Sequence, residues 1–291
     1  MSYQSTPAAL VPENSPSAQP NALTPQDFRS DVKPIWCPGC GHYGVLAAVT
    51  KALADLGRPR EQIAFVSGIG CSSRIPAYTN VYGFHSIHGR ALAIAAGVKL
   101  ARPDLTVIAA GGDGDGLSIG GNHFMHACRR NVDMTYVIMD NEVYGMTKGQ
   151  ASPTTAPDWC KSKLTPEGTG ISPVEPVRLA LAAGANFIAR GFAGNPNEVA
   201  RLIVEGTRHP GFSFIQVLSP CVTYRPEQRD WKQAVHASDA DPAQLMAEAM
   251  HRLASDDGFT TGVLFAGNRP AFMPKRKNTA SFAEIERKFA S

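Results

Sequence analysis

Residues 109–147 read AAGGDGDGLSIGGNHFMHACRRNVDMTYVIMDNEVYGMT and contain two apolar runs that each stop at a polar side chain. The first runs into Gly111-Gly-Asp-Gly-Asp115. The second, Met134 to Asp140, stops at Asn141, twenty-eight residues beyond Asp113. Helical spacing over 118–129 separates them, and a strand, a helix and a second strand make a parallel pair. Ligands of a parallel sheet gather beyond the strand ends, which places the Asp113 carboxylate and the Asn141 carboxamide in one crevice. Glycines 111, 112, 114 and 116 let backbone N–H groups close on a phosphate at the start of the following helix. Asp and Asn oxygens with a nearby backbone carbonyl are hard ligands suited to Mg²⁺, which shares its shell with phosphates. The window therefore reads as a metal-bridged diphosphate site. Gly-Asp-Gly alone is an ordinary turn; the ordered series of strand, Gly-Asp-Gly-Asp, helix, strand and Asn carries the reading. No G-x-x-x-x-G-K-[ST] occurs, and Leu117 fills the last glycine position of a dinucleotide-type G-x-G-x-x-G frame.

The alternation extends outward from this window. Helical patterns at 42–56, 89–101, 118–129, 175–183 and 196–208 alternate with apolar strands near 63–67, 105–110, 134–140, 186–189 and 213–218. This predicts an α/β fold, a parallel sheet with helices on both faces. After Ser219 the pattern weakens, leaving one helix expected over about 241–255. The expected organisation is a flexible arm over 1–30, a cofactor-binding α/β domain over 31–222 and a C-terminal extension over 223–291. A hydrophobic content of 43% supports a substantial core, and no apolar run reaches the length of a membrane span. The Pro-, Ser- and Ala-rich arm lacks the apolar stretch of a signal peptide, so a cytoplasmic location is expected. A net charge of +3 gives no argument for nucleic acid. Charged residues at 18% fall below the usual quarter, which suggests a surface partly covered by other subunits.

Six cysteines in such a chain do not suggest a disulfide framework. Cys37-Pro-Gly-Cys40 is a C-x-x-C whose turn lets both sulfurs face one metal. Cys71 follows the strand ending at 67, and Cys221 follows the strand ending at 218. Both thus lie on the edge of the diphosphate crevice, where all four could converge. Cys128, on a helix with His126 and Arg129, and Cys160, in a loop, have no comparable neighbourhood. On spacing alone three readings stand: a [4Fe–4S] cluster, which accepts scattered thiolates; a structural zinc, whose ribbons use two close pairs; and unligated thiols. A redox dithiol would lack its thioredoxin-like setting.

Gly-Asp-Gly followed by a distant Asn resembles the thiamine diphosphate motif. Several blocks then make a more specific resemblance: Trp36-Cys-Pro-Gly-Cys-Gly-His42, Gly68-Ile-Gly-Cys-Ser-Ser-Arg-Ile-Pro76, His85-Ser-Ile-His-Gly-Arg90, the Gly-Asp-Gly-Asp block, and Asn141-Glu-Val-Tyr-Gly-Met-Thr-Lys-Gly-Gln150. Together, from about Trp36 to Tyr224, they resemble the β subunit of 2-oxoacid:ferredoxin oxidoreductases. Members decarboxylate a 2-oxoacid on thiamine diphosphate, pass two electrons through iron–sulfur chemistry to ferredoxin and deliver the acyl group to coenzyme A. The cycle also runs backwards as reductive carboxylation. The resemblance implies Mg²⁺ held by Asp113, Asn141 and the carbonyl of Val143, and a diphosphate lined by Gly112, Gly114 and Asp115. It implies cofactor contacts from Ile69, Gly70, Cys71, Ser72, His88, Gly145 and Met146, and a [4Fe–4S] cluster on Cys37, Cys40, Cys71 and Cys221. An electron acceptor beside this cofactor has an evident use, which favours the cluster among the three cysteine readings.

Arg74 and Lys148 are the candidate cations for a substrate carboxylate, Arg being suited to bidentate recognition; in the family the position of Arg74 is often Lys. His42 could assist proton transfer or be a satisfied structural histidine, and Trp36 and Tyr144 read as packing. Thiamine diphosphate enzymes activate the aminopyrimidine with a Glu from a separate domain, and no second α/β domain fits the remaining length. An obligatory α subunit is therefore expected to supply that Glu and most of the coenzyme A site, in a dimer of αβ heterodimers. The blocks and length look more like the 2-oxoglutarate or broad 2-oxoacid members than the pyruvate-specific ones, pyruvate being the alternative. Two other readings are a non-redox thiamine diphosphate decarboxylase or synthase, and an iron–sulfur scaffold that does not use the cofactor. The basic run Pro274-Lys-Arg-Lys277 could meet an acidic ferredoxin, wrap the α subunit or stay solvated.

Overall fold

The strands Met134–Asp140 and Phe212–Leu218 are buried at every position, as strands covered on both faces must be. They are β4 and β6 of a sheet in a computed structural model that describes residues 23–272 and 286–288. The other strands are β1 (Ile63–Ser67), β2 (Tyr82–His85), β3 (Thr106–Gly112), β5 (Phe187–Phe192), β7 (His236–Ala237) and β8 (Thr260–Ala266). Their order is β2-β1-β3-β4-β6-β5-β8-β7. Every pairing is parallel except β5 with β8, which is antiparallel. The α/β class expected from the alternation is the one observed.

Side chains at alternate strand positions go to opposite faces. Ile108, Val137, Met139 and Ile215 pack with Val49 and Leu53 of α1 (His42–Asp55) and with Leu202 and Ile203 of α6 (Pro196–Arg208). Val107, Tyr136, Ile138 and Phe214 face the other way. There they pack with α3 (Ala91–Ala101), α4 (Gly121–Arg130), α5 (Pro176–Ala182) and α8 (Met246–Ala254). Phe124 of α4 is fully buried, its ring 4.9 Å from that of Phe214 and 6.0 Å from that of Tyr136. Short helices α2 (Ile75–Tyr78) and α7 (Trp231–Ala234) complete the set. None of the helices described is long and apolar enough to cross a membrane.

Three features depart from the expected pattern. Residues 1–22 of the expected arm lie outside the described residues, but its last part is packed: Phe28 is wholly buried in the core, and Arg29 bridges Thr79. Phe28 and Arg29, within the expected arm, are therefore held by the fold. Second, the chain beyond Ser219 contributes β7 and β8 to the same sheet, β8 pairing with Phe187–Arg190. Its run T-T-G-V-L-F-A carries a glycine at φ +120°, which reads in sequence as a breaker. Third, β2 is an edge strand with all four residues exposed, so it has no burial alternation to detect. The basic run at 274–277 lies outside the described residues.

The C-terminal part is also fastened by a buried ion pair. Arg190 of β5 contacts Asp256, in the loop before β8, through Nη2 at 2.8 Å and Nη1 at 3.1 Å, and both side chains are almost fully buried. Burial raises the Asp256 carboxyl, but hydrogen bonds and charge from Arg190 outweigh it and hold the group below its ordinary value. Its contribution to stability is therefore complete above the ordinary aspartate range and is lost as pH falls through the depressed native value. Asp256→Asn should cost roughly 3 kcal/mol at neutral pH by stranding Arg190. Urea unfolding should show that deficit shrinking in acid, and an equal deficit at every pH would contradict the assignment.

Candidate cofactor site

Four neighbouring parallel strands, β1, β3, β4 and β6, end on the same edge of the sheet, and the sequence motifs occupy the loops that leave those ends. Beyond that edge lies a cavity of about 250 Å³. Its wall contains Ile69, Gly70, Cys71, Ser72, His88, Gly112, Asp113, Gly114, Asp115, Asn141, Val143, Gly145 and Met146, together with His42 and Tyr144. After β3 the chain turns at Asp113 directly into a π-helical segment, Gly114–Ile119, that leads into α4. Such π turns occur frequently at functional sites. Two glycines here serve close packing. A Cβ on Gly114 would lie 2.2 Å from the Tyr144 ring, and one on Gly68 would lie 2.0 Å from Asp115 Oδ2.

Asp113 is almost completely buried. Its Oδ2 accepts hydrogen bonds from Ser152 Oγ and from Thr154 Oγ1, the latter at 2.9 Å. The Thr154 hydroxyl also lies 2.8 Å from Asp140 Oδ1. Burial first, and then the nearby charge of Asp140, push the Asp113 carboxyl up to about 8, with the two hydroxyls pulling the other way. A divalent cation beside Asp113 would offset both causes. Asn141 follows β4, and its Oδ1 accepts from Val143 N at 3.2 Å across Glu142, which has a left-handed φ of +53°. Asp115 has another task. Its Oδ1 accepts from Ile69 N (3.0 Å) and Gly89 N (2.7 Å) and meets His88 Nδ1 at 2.7 Å, while Oδ2 is buried without a hydrogen-bond partner. Asp115 thus ties together two loops of the cavity wall.

A second cavity, about 190 Å³, is lined by Cys37, Cys40, Cys71 and Cys221 along with Trp36 and Arg74. The two cavities share His42, Cys71, Asn141, Gly145 and Met146. Gly145 marks the wall between them: a Cβ there would sit 3.7 Å from Cys221 Sγ and 3.8 Å from Cys71 Sγ. Backbone contacts gather the cysteine loops. Gly41 N donates to Pro220 O at 3.0 Å, and Trp36 Nε1 donates to Cys71 O at 2.7 Å. Burial pushes the Cys40 thiol up to about 12 and raises Cys71 and Cys221, with the neighbouring cysteines adding to each. Cys128 is buried in the opposite core and Cys160 is exposed; neither lines this cavity. Among the described residues no three His, Cys, Asp or Glu side chains are placed to hold one metal ion.

His42 is buried at the start of α1, its Nδ1 is 2.7 Å from Ser219 Oγ, and burial lowers it to about 4, so it is neutral at pH 7. Arg74 lines only the cysteine cavity, and Lys148 lines neither. Lys148 is exposed at φ +78° in the tight Tyr144–Gln150 loop. Ser152, Thr154 and Asp140 have no mark in the sequence beyond their polarity; the residues following Asn141–Gln150 read simply as a loop. A larger cavity of about 370 Å³ lies at the opposite, N-terminal ends of the strands. Its Lys99, Arg58 and Arg208 are engaged with carbonyl oxygens of Leu105, Asp104 and Asp55, and no motif residue reaches it.

The fold and this strand-end site are those of a thiamine pyrophosphate-binding domain, and the family model for the C-terminal TPP binding domain of thiamine pyrophosphate enzymes matches residues 68–217. The 2-oxoglutarate oxidoreductase subunit KorB of Mycobacterium tuberculosis is 48% identical over 67% of this chain and 52% of its own length. The β subunit of 2-oxoacid:ferredoxin oxidoreductase 2 from Aeropyrum pernix is 46% identical over 68% of this chain and 64% of its own. A solved structure, the 2-oxoglutarate:ferredoxin oxidoreductase from Magnetococcus marinus with 2-oxoglutarate, coenzyme A and succinyl-CoA bound, superposes with a TM-score of 0.83. It is 40% identical, covering 93% of this chain and 92% of that one. The chain belongs to the family of 2-oxoacid:ferredoxin oxidoreductase β subunits, and it spans about half to two thirds of the length of the first two curated relatives.

The seat of Tyr144 against Gly114 can be tested by a double-mutant cycle. Gly114→Ala should cost on the order of 1–3 kcal/mol by overpacking. Shrinking the ring with Tyr144→Leu should recover most of that penalty, so that the two changes are strongly non-additive in denaturant unfolding. Simple additivity would mean that the two side chains do not compete for this space.

Proposed function

We propose that this chain is the thiamine diphosphate-binding, [4Fe–4S]-bearing β subunit of a 2-oxoacid:ferredoxin oxidoreductase acting on 2-oxoglutarate. The overall reaction consumes 2-oxoglutarate, coenzyme A and two oxidised ferredoxins. It yields succinyl-CoA, CO₂, a proton and two reduced ferredoxins, and is reversible as reductive carboxylation. The observation that carries this reading is the shared wall of the two cavities, in which Cys71 belongs to both. A diphosphate cofactor alone would need only the first cavity.

The residues fit both groups. Asp113, Asn141 and Val143 all line the cofactor cavity, and their carboxylate, carboxamide and carbonyl oxygens are donors of the kind suited to Mg²⁺ and a diphosphate. A cation there would offset the burial that raises the Asp113 carboxyl. The π turn after Asp113 starts at the cavity wall with Gly114 and Asp115, where backbone N–H groups would meet a diphosphate. Four thiols around one cavity, drawn from one close pair and two distant single positions, suit a polynuclear cluster better than a zinc ribbon, which uses two close pairs. Thiamine diphosphate, when bound, supplies the nucleophilic carbon and the electron sink. The chain's own task is to hold Asp113 and Asn141 in place, keep His42 neutral between Ser219 and Trp36, and offer Arg74 at the cysteine cavity as a cation for a carboxylate. The names of the relatives from M. tuberculosis and M. marinus favour 2-oxoglutarate.

An α subunit is part of the proposal. The cofactor cavity wall includes the exposed apolar side chains of Ile69 (39% exposed) and Met146 (45%), and two more exposed isoleucines lie close by, Ile87 (70%) next to His88 and Ile119 (51%) at the end of the π turn against Gly89. Such a surface suits cover by another chain. The α subunit would bring the glutamate for the aminopyrimidine and most of the coenzyme A site, in a dimer of αβ heterodimers.

Anaerobically purified αβ complex should absorb near ~400 nm and bleach on reduction. Asp113→Ala should keep that absorbance but lose thiamine diphosphate binding and at least ~100-fold of turnover, in line with removal of a charged metal ligand. Cys221→Ser should lose the absorbance. Turnover should be highest with 2-oxoglutarate in a panel that includes pyruvate and branched 2-oxoacids. A complex without the chromophore, or an α-free chain with full turnover, would overturn the assignment.

A further inference from the structure

The proposed Mg²⁺ ligand Asp113 stands at one end of a chain of buried polar groups that continues far behind the site. Thr154 Oγ1 touches both Asp113 Oδ2 (2.9 Å) and Asp140 Oδ1 (2.8 Å). Gln216 Nε2 donates to Asp140 Oδ2 at 2.8 Å, and Gln216 Oε1 accepts from Arg190 Nε at 2.9 Å. Arg190 then grips Asp256 with two nitrogens and donates to Thr260 O at 3.1 Å. Asp140, Gln216 and Arg190 are each at most 4% exposed.

Strand register explains how the chain is built. Gln216 of β6 lies opposite Ile138 of β4 on one side and Arg190 of β5 on the other. With a period of two, Asp140, Gln216 and Arg190 project to the same face as Ile138, Phe214 and Ile188, the apolar side chains of the core under α4, α5 and α8. Three polar side chains thus replace apolar ones at the ends of a single face. A sheet interior tolerates this only when each group is satisfied, and here each satisfies the next. What the polar set adds is a fixed direction for the Asp140 carboxylate, and through the Thr154 hydroxyl a fixed direction for that of Asp113.

We propose that Thr154, Asp140, Gln216 and Arg190 are positioning residues for the Asp113 carboxylate, and that Asp256, in the C-terminal part of the chain beyond the thiamine pyrophosphate domain match, anchors them. This rests on the reading of Asp113 as a Mg²⁺ ligand and extends it to residues that touch neither the cation nor the cofactor. Outer partners of a metal-binding carboxylate tune affinity by fixing its orientation, and their loss typically weakens binding about 10- to 100-fold. Thr154 is the most exacting member, because its single hydroxyl proton is shared between two acceptors.

The test uses the αβ complex with Mn²⁺ in place of Mg²⁺ and thiamine diphosphate present. Binding is followed by electron paramagnetic resonance, which reports both affinity and the symmetry of the ion's surroundings. Thr154→Val and Gln216→Leu should weaken Mn²⁺ binding about 10-fold or more and change the line shape, while absorbance of the cluster moves little. Thr154→Val should leave the unfolding midpoint of the complex nearly unmoved, whereas Gln216→Leu, which strands Asp140 and Arg190, should also lower it. Thr154→Ser, which keeps the hydroxyl, should restore both affinity and line shape. Gln216→Asn keeps the amide but withdraws it by one methylene, and should weaken binding even where the apolar variant folds poorly. Wild-type affinity and line shape in Thr154→Val and Gln216→Asn would overturn the positioning chain alone. Mn²⁺ binding that is absent in the wild type, or unchanged in Asp113→Ala, would overturn the metal-ligand reading beneath it.

Discussion

Two carboxylates, Asp113 and Asp140, are buried at the ends of adjacent parallel strands and share one threonine hydroxyl. Removing a carboxylate from water costs several kcal/mol unless hydrogen bonds or opposite charge replace the lost hydration. That demand explains parts of the structure that otherwise look arbitrary. The segment from Asn141 to Glu175 contains no helix or strand, a length that compact domains rarely leave irregular without a use. Its use is to double back and present Ser152 and Thr154 to the carboxylates. Gln216 and Arg190 interrupt an apolar face for the same reason. The two hydroxyls only partly offset the burial that raises Asp113 toward its neutral form, and the proposed cation would offset the rest.

Sheet topology makes the convergence possible. Cys71, Asp113, Asn141 and Cys221 are separated by 150 residues of chain from first to last, yet each comes just after a strand, and the four strands are neighbours in one parallel sheet. Residues placed just past a strand end need no further device to meet. The cysteine cavity and the cofactor cavity lie side by side because the outer strands of the four, β1 and β6, deliver thiols while the inner two deliver oxygen ligands. Cys37 and Cys40 are the exceptions, arriving from the loop before α1, and they are fastened by the Gly41–Pro220 and Trp36–Cys71 hydrogen bonds.

The same topology decides how much the sequence reveals. The strands at 63–67 and 134–140 and the helix at 196–208 are legible because two-sided burial and amphipathic spacing are local signals. The positions of Asp113, Asn141, Cys71 and Cys221 are legible because a strand end is itself a local feature. Ser152 and Thr154 are not, since a loop hydroxyl has no periodicity and its partner lies some forty residues away. Gln216 is hidden within the strand F-S-F-I-Q-V-L. β8 is masked by Gly262, and β2 by the exposure of all four of its residues. Two expectations are refined in three dimensions. Gly114 lines the cofactor cavity and also gives room to the Tyr144 ring, and Lys148 lies on the exposed loop outside both cavities. Spacing identifies the loop but not which way each side chain turns.

The residues after β6 extend the dependence on buried polar groups to the relation between the two cavities. Gln228 is wholly buried; its Nε2 donates to Asn141 O and its Oε1 accepts from Cys221 N, both at 2.8 Å. One amide therefore clamps the backbone that carries the proposed Mg²⁺ ligand and the backbone that carries a proposed cluster ligand. Arg225 adds a second brace, donating to the carbonyl and the carboxylate of Glu142 while its guanidinium sits 4.7 Å over the Trp159 ring. A displacement of the Asn141 loop is then also a displacement of the Cys221 loop. The C-terminal part of the chain thereby holds the two cavities in register, from Gln228 between the Asn141 and Cys221 backbones and from Asp256 at the end of the polar chain behind Asp113. The constraint is the same one throughout: once polar groups are buried at strand ends, whatever satisfies them also fixes where they point.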